Sequence, residues 1–177
     1  MKSELKKIIY DIYVHHNFEF YTMKCKKESE FENELLSEIE MLCEKIENSS
    51  LENEPTVELT ILVNNYSENE INISYSSILT ISKIAKYYYL QHEFSFENPD
   101  TDKMDTYLEA FRDEPYNKKQ FLLESKIKDV LEKYEYLRLS YAETTEVCNG
   151  IPKFKDDCER QMTVGNAIFM DFWELNE

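Results

Sequence analysis

YYLQHEFSFE, residues 88 to 97, alternates without a break: Tyr88, Leu90, His92, Phe94 and Phe96 fall on one side, Tyr89, Gln91, Glu93, Ser95 and Glu97 on the other. Side chains of an extended chain point to opposite faces with period two, so the stretch reads as a strand with its apolar face on a core. Upstream the pattern recurs. Val57, Leu59, Ile61 and Val63 alternate with Glu58, Thr60 and Leu62, and Ile71, Ile73 and Tyr75 continue through Ser77, Leu79 and Ile81. Residues 78 to 86 also fit a short helix through Ile78, Ile81 and Ala85. Residues 64 to 69 read as a turn, so these segments predict an antiparallel sheet.

Helical spacing appears on both sides of this block. Leu5, Ile8, Ile9, Ile12 and Tyr13 predict a helix over 3 to 16. Ser29 and Glu32 have capping-box spacing, and Phe31, Leu35, Ile39, Leu42 and Ile46 form one stripe, which predicts a second helix running to about residue 47. A polar connector, Asn48 to Pro55, follows. Beyond the third strand, Met104, Tyr107, Leu108 and Phe111 predict a short helix ending before Pro115. Tyr116, Asn117, Gln120 and Phe121 then specify a helix start with a cap and a hydrophobic staple, continued by Leu123, Ile127, Val130, Leu131 and Tyr134. Strands are expected from Leu137 toward Val147 and from Thr163 to Trp173, the last covered on both faces. The order ααβββααββ predicts a single α+β domain with a mostly antiparallel sheet of about five strands and about four packed helices.

Charge is the other strong signal. The 177-residue chain has a formal net charge of −16. Between Glu28 and Glu70, thirteen glutamates stand against one basic residue, Lys45, while residues 1 to 27 sum to +3. A localised anionic face repels nucleic acid and anionic lipid and attracts basic proteins. With three arginines (Arg112, Arg138, Arg160) and scattered lysines, direct nucleic-acid binding is not expected. No apolar run approaches the roughly eighteen residues of a membrane span, and the first residues lack a signal-peptide core, so a cytoplasmic location is expected. Cys25, Cys43, Cys148 and Cys158 show no metal-type spacing and read as reduced thiols.

Two glycines, Gly150 and Gly165, are too few for phosphate-cradling loops, and neither GxSxG nor HExxH occurs. No cofactor is indicated. Asp100, Asp102 and Asp105, and Asp156, Asp157 and Glu159, are carboxylate groups in expected loops or helix starts, where capping and solvation explain them. His15 and His16 diverge on a helix, and His92 sits on an apolar strand face, the usual setting of a hydrogen-bonded core histidine.

Glu-rich helix faces also exist for solubility alone, but a surface serving only that end intersperses lysines, because like charges at i,i+4 destabilise. The sequence therefore points to a binding module that masks a basic partner, most concretely an immunity or inhibitor protein occupying the cleft of a nuclease-type toxin. Its expected face is Glu30, Glu40, Glu44 and Glu47 on the second helix, with Glu52, Glu54 and Tyr66 at the rim. Two other readings stay open. One is a small hydrolase or metal-dependent enzyme using the loop acids with His92. The other is a structural or adaptor subunit, or a homo-oligomer, pairing through Tyr87 to Tyr89.

Overall fold

A computed structural model of the chain describes residues 1–68, 71–97, 107–151 and 161–171. In chain order the elements are α1 (Ser3–Tyr13), α2 (Phe18–Cys25), α3 (Glu32–Ile39) with a 3-10 turn Glu40–Leu42, β1 (Lys45–Asn48), β2 (Thr56–Glu68), β3 (Ile71–Ser82), β4 (Tyr87–Glu97), β5 (Tyr107–Arg112), α4 (Lys118–Lys133), β6 (Leu137–Leu139), α5 (Tyr141–Thr144) and α6 (Val164–Phe169). The fold is α+β, with β1 to β5 side by side in sequence order and all antiparallel. β6 joins the edge of β4 in parallel at Tyr87 to Tyr89, next to the stretch His92 to Glu97 that pairs with β5.

The alternation in the central strands sets the layers. Val57, Leu59, Ile61, Leu79, Ile81, Tyr88 and Leu90 are buried on one sheet face, against Phe31, Leu35 and Ile39 from the α3 segment and Leu123, Ile127, Val130 and Leu131 of α4. At roughly 1.5–3 kcal/mol per fully buried large aliphatic side chain, this layer is a principal source of stability. A second cluster joins Leu5, Ile9, Ile12 and Tyr13 of α1 to Tyr21, Ile84, Tyr87, Val164 and Ile168. Ser82 hydroxyl donates to the Ile168 carbonyl at 2.8 Å and fixes α6 to the end of β3.

Several segments take the form that their tertiary partners favour. The helix expected over 29 to 47 stops at Ile39, and Phe31 rather than Ser29 is its N-cap, so the capping box does not form. After the 3-10 turn the chain extends as β1, with Lys45 opposite Leu62 and Ile46 opposite Ile61. Ile46 satisfies both a helical stripe and an alternating strand, and pairing to β2 selects the strand. Tyr107 to Arg112 is likewise a strand, not a helix; Leu108 and Phe111, three apart, project exposed from β5. The strand expected toward Val147 ends at Leu139, because Ser140 and Glu143 form a reciprocal capping box that starts α5. Residues 164 to 169 are α6 rather than a strand, started by Thr163 and Asn166 in the same way. Its buried Val164, Ala167 and Ile168 show the i, i+3, i+4 spacing of a helix face. Helix α2, capped by Asn17, has no counterpart in the sequence expectation.

The start of α4 is as expected at the cap, where the Asn117 side chain accepts from the Gln120 N–H at 2.9 Å. The staple is not made: Phe121 stays exposed, and Tyr116 instead lies against Phe94 and under the Arg112 guanidinium. Among the described residues no helix is long and apolar enough to cross a membrane.

Candidate functional site

Breaking the second helix redistributes the glutamates assigned to it. Glu30 precedes α3, where the Lys27 ammonium at 2.8 Å donates to it and holds its carboxyl below the usual carboxylate range. Glu40 begins the 3-10 turn, Glu44 stands just before β1 and Glu47 is on β1 itself. Glu40, Glu44 and Glu47 therefore remain together along one edge of the sheet, while Glu30 lies apart from them. Glu52 and Glu54 belong to the connector between β1 and β2. Glu52 lines a wide cleft of about 800 Å³ whose other charged residues include Lys26, Lys27, Lys83, Glu28 and Glu32, a mixed rather than an anionic lining.

Edge position follows from the strand order, since among the described residues β1 has β2 as its one neighbour. β2 outruns β1: Asn64 to Glu68 pair with β3 past the point where Lys45 meets Leu62. A register shift between Leu62 and Asn64 bends β2 there. Glu44 spans the step, its N–H donating to Leu62 carbonyl at 2.8 Å and its carboxylate accepting the Asn65 N–H at 3.3 Å. Tyr66, half exposed, follows on the same stretch of β2.

Between α3 and this edge runs a groove of about 560 Å³, whose lining includes Leu36, Cys43 and Ile46 and the charged Glu40, Glu44 and Lys45. Leu36, Cys43 and Ile46 are half-buried and pack against the central cluster, so the groove floor is apolar, with Glu40, Glu44 and Lys45 around it. A second depression of about 280 Å³ shares Cys43 and Glu44 and adds Met41, Leu42 and Leu122. Met41 is 89 % exposed, the most exposed large apolar side chain among those described.

Ion pairing separates these acids from their neighbours. Glu34 and Glu38, on α3, meet Lys133 at 2.6 Å and Lys126 at 2.9 Å from α4, and each is held below the usual carboxylate range by the hydrogen bond its lysine donates. The basic partners missing from the local sequence are thus supplied by a helix about ninety residues away in the chain. Glu40 and Glu44 make no ion pair among the described residues, and Glu47 pairs with Lys45 on its own strand. The groove rim therefore holds two glutamates without an ion pair among the described residues, beside a Lys45 engaged by Glu47.

His92 occupies a different place. It is fully buried, with Nδ1 2.9 Å from the Ser77 hydroxyl and Nε2 3.0 Å from a Glu124 carboxylate oxygen. Glu124 also accepts from Arg138, whose guanidinium donates to the Leu90 carbonyl at 3.1 Å and the Asp113 carbonyl at 2.7 Å. Burial pushes the Glu124 carboxyl up, but the His92 hydrogen bond and the Arg138 charge outweigh it and hold it below the usual range. A carboxylate only accepts, so Nε2 carries the proton shared with Glu124, and Nδ1 and the Ser77 hydroxyl share the second hydrogen bond. A serine, a histidine and an acid are aligned here, yet Ser77 and His92 are both 0 % exposed, so the alignment ties α4 and β6 to the sheet without presenting a nucleophile.

Asp100, Asp102, Asp105, Asp156, Asp157 and Glu159 lie outside the described residues. Among those described, no group of three or more His, Cys, Asp or Glu side chains is placed to hold a metal ion. Tyr87 to Tyr89, expected as a free pairing edge, are instead paired with Leu137 to Leu139, and Tyr87 and Tyr88 are buried. That edge is closed by the chain's own β6.

The groove floor, Leu36, Cys43 and Ile46, is the part of this site that sequence reasoning missed. Its signal was the short alternation Lys45, Ile46, Glu47 and Asn48 before the connector, which a helical stripe through Leu42 and Ile46 overrode. No family model matches the chain, and no curated protein or solved structure matches it significantly.

Proposed function

We propose that this protein is an acidic binding module that masks a basic protein partner, most concretely an inhibitor or immunity protein that neutralises a nuclease-type toxin. The observation that supports it is the sheet edge itself. Glu40 and Glu44 line a groove with an apolar floor, and Glu47 stands on the adjoining strand, while Glu34 and Glu38 of α3 are neutralised by α4 lysines. A nucleic-acid enzyme presents Lys and Arg where it holds phosphates, and an anionic surface on a chain of net charge −16 is steered to such a cleft quickly. The apolar floor gives that encounter a desolvated centre, which charge alone does not provide.

The test is capture of partners from the source organism's lysate at low ionic strength, with a Glu40→Gln, Glu44→Gln, Glu47→Gln bait in parallel. The reading requires one stoichiometric basic protein, retained by the native bait and lost from the Gln bait, whose nuclease activity falls when the native protein is added back. Equal diffuse background on both baits would overturn it.

A further inference from the structure

The geometry points to the way the partner is held: an extended, basic segment adds as a strand to the free edge of β1 and seats an aliphatic side chain in the groove between α3 and Ile46. This inference rests on the proposal of a basic protein partner and specifies how that partner docks.

A strand at the end of a sheet presents alternate N–H and C=O groups away from its one neighbour, and an incoming extended chain can pair with them. β1 is such a strand. Side chains of an added strand alternate between faces, continuing the faces of the strand they join. On β1, Ile46 lies opposite Ile61, on the face covered by α3, and Lys45 and Glu47 lie on the other face. Every second residue of an added strand therefore enters the groove beside Ile46, with Leu36 and Cys43 against it, and its neighbours emerge beside Lys45 and Glu47. The pocket at Met41, Leu42 and Leu122 adds apolar surface past Glu44, with Lys119 also in its lining.

Charge selects the occupant. Glu40 and Glu44 stand on the groove side without an ion pair among the described residues, while on the other face Glu47 is paired with Lys45, so lysine or arginine two positions either side of the groove-seated aliphatic residue, on the same face, is the complementary pattern. A second copy of this chain is a poor fit, because edge-to-edge pairing would bring two such rims, on chains of −16 each, into contact. Short charged edges also serve to block unwanted strand pairing. Here, however, the edge lies beside an apolar groove whose Leu36, Cys43 and Ile46 remain part-exposed, a feature that blocking does not require.

The probe is a capped peptide, Thr-Lys-Thr-Ile-Thr-Lys-Thr, whose Ile and both Lys share one strand face, titrated into the full chain at low ionic strength and read by calorimetry and by exchange of the Lys45 to Asn48 backbone amides. Two controls accompany it. The first is the same peptide N-methylated at alternate residues, which keeps the charge but cannot pair as a strand. The second is Ser37→Arg, which places a cation at an exposed position on the groove wall without touching the core. Strand addition predicts slowed exchange within β1, binding at least about tenfold tighter than the N-methylated peptide, and a similar loss in Ser37→Arg. Equal binding of both peptides, with β1 amides unprotected, overturns strand addition and leaves the masking proposal standing on charge alone. Absence of binding by either peptide also overturns strand addition, while the masking proposal stands or falls separately on capture by the native and Gln baits.

Discussion

Glu44 and Asn65 are joined across the step in the sheet edge, the Asn65 N–H donating to a Glu44 carboxylate oxygen at 3.3 Å where β2 runs past the start of β1. The side chain of Glu44 thus occupies a place that another strand residue would have filled. It fixes an anionic oxygen pair at the mouth of the groove, with one oxygen engaged by backbone. Glu44→Gln keeps an acceptor for Asn65 but removes the charge, so it should leave thermal stability within about 0.5 kcal/mol while weakening capture of a basic partner. Glu44→Ala removes both and should also speed exchange at Asn65. Denaturation curves and amide exchange on the two variants separate these effects.

The Glu124 carboxylate predicts a direction of pH dependence. Its folded-state value lies below the unfolded one, so its contribution is fully present above the unfolded value and is lost as pH falls through the folded one. Glu124→Gln should destabilise by about 1–3 kcal/mol at neutral pH, and the gap to the native protein should close as pH drops below the carboxylate range. Urea titrations of both proteins across that range provide the check.

Arg138 reaches three acceptors: Glu124, the Leu90 carbonyl and the Asp113 carbonyl. Arg138→Met keeps much of the stem but leaves all three without that donor, and should cost about 2–3 kcal/mol. Equilibrium unfolding by urea measures it directly.

Gln120 is completely buried at the start of α4, its amide donating to the Ser76 carbonyl at 2.7 Å and the Glu93 carbonyl at 3.0 Å while accepting from the Tyr116 N–H at 2.9 Å. Gln120→Leu should cost about 1–3 kcal/mol, because it strands buried polar groups on two strands and at the helix entry. The loss should appear in the unfolding free energy, with the helical circular dichroism of the folded state retained.

Thr56 is the opposite case. Its hydroxyl oxygen is buried and has no hydrogen-bond partner among the described residues. Thr56→Val removes an unsatisfied group at nearly constant shape and should raise stability by about 1 kcal/mol, readable as a higher urea midpoint at unchanged slope.

The strands Thr56–Glu68, Ile71–Ser82 and Tyr87–Glu97 were legible from their period-two patterns, but β2 runs to Glu68 through most of the turn expected over 64 to 69, and β3 stays extended through Ser82 where residues 78 to 86 also fit a helix. His92 was legible as a core residue on the same ground. Short segments were not. Ile46, Leu108 and Ile168 each satisfy both periods over a few residues, and their form is decided by β2, by β4 and by the second core cluster. Two overlooked starts did have local signals, Ser140 with Glu143 and Thr163 with Asn166. The acids of the candidate site were visible as charge, but their grouping was not. Which glutamates are compensated depends on Lys126 and Lys133, and which stand at an edge depends on strand order.

Hydrogen–deuterium exchange of the protein with and without its captured basic partner tests the central claim most directly. Masking through the acidic edge predicts new protection confined to Glu40 through Asn48 and the adjoining Asn64 to Tyr66. Protection that instead falls on α1, α5 and α6, with the β1 edge unchanged, would contradict it.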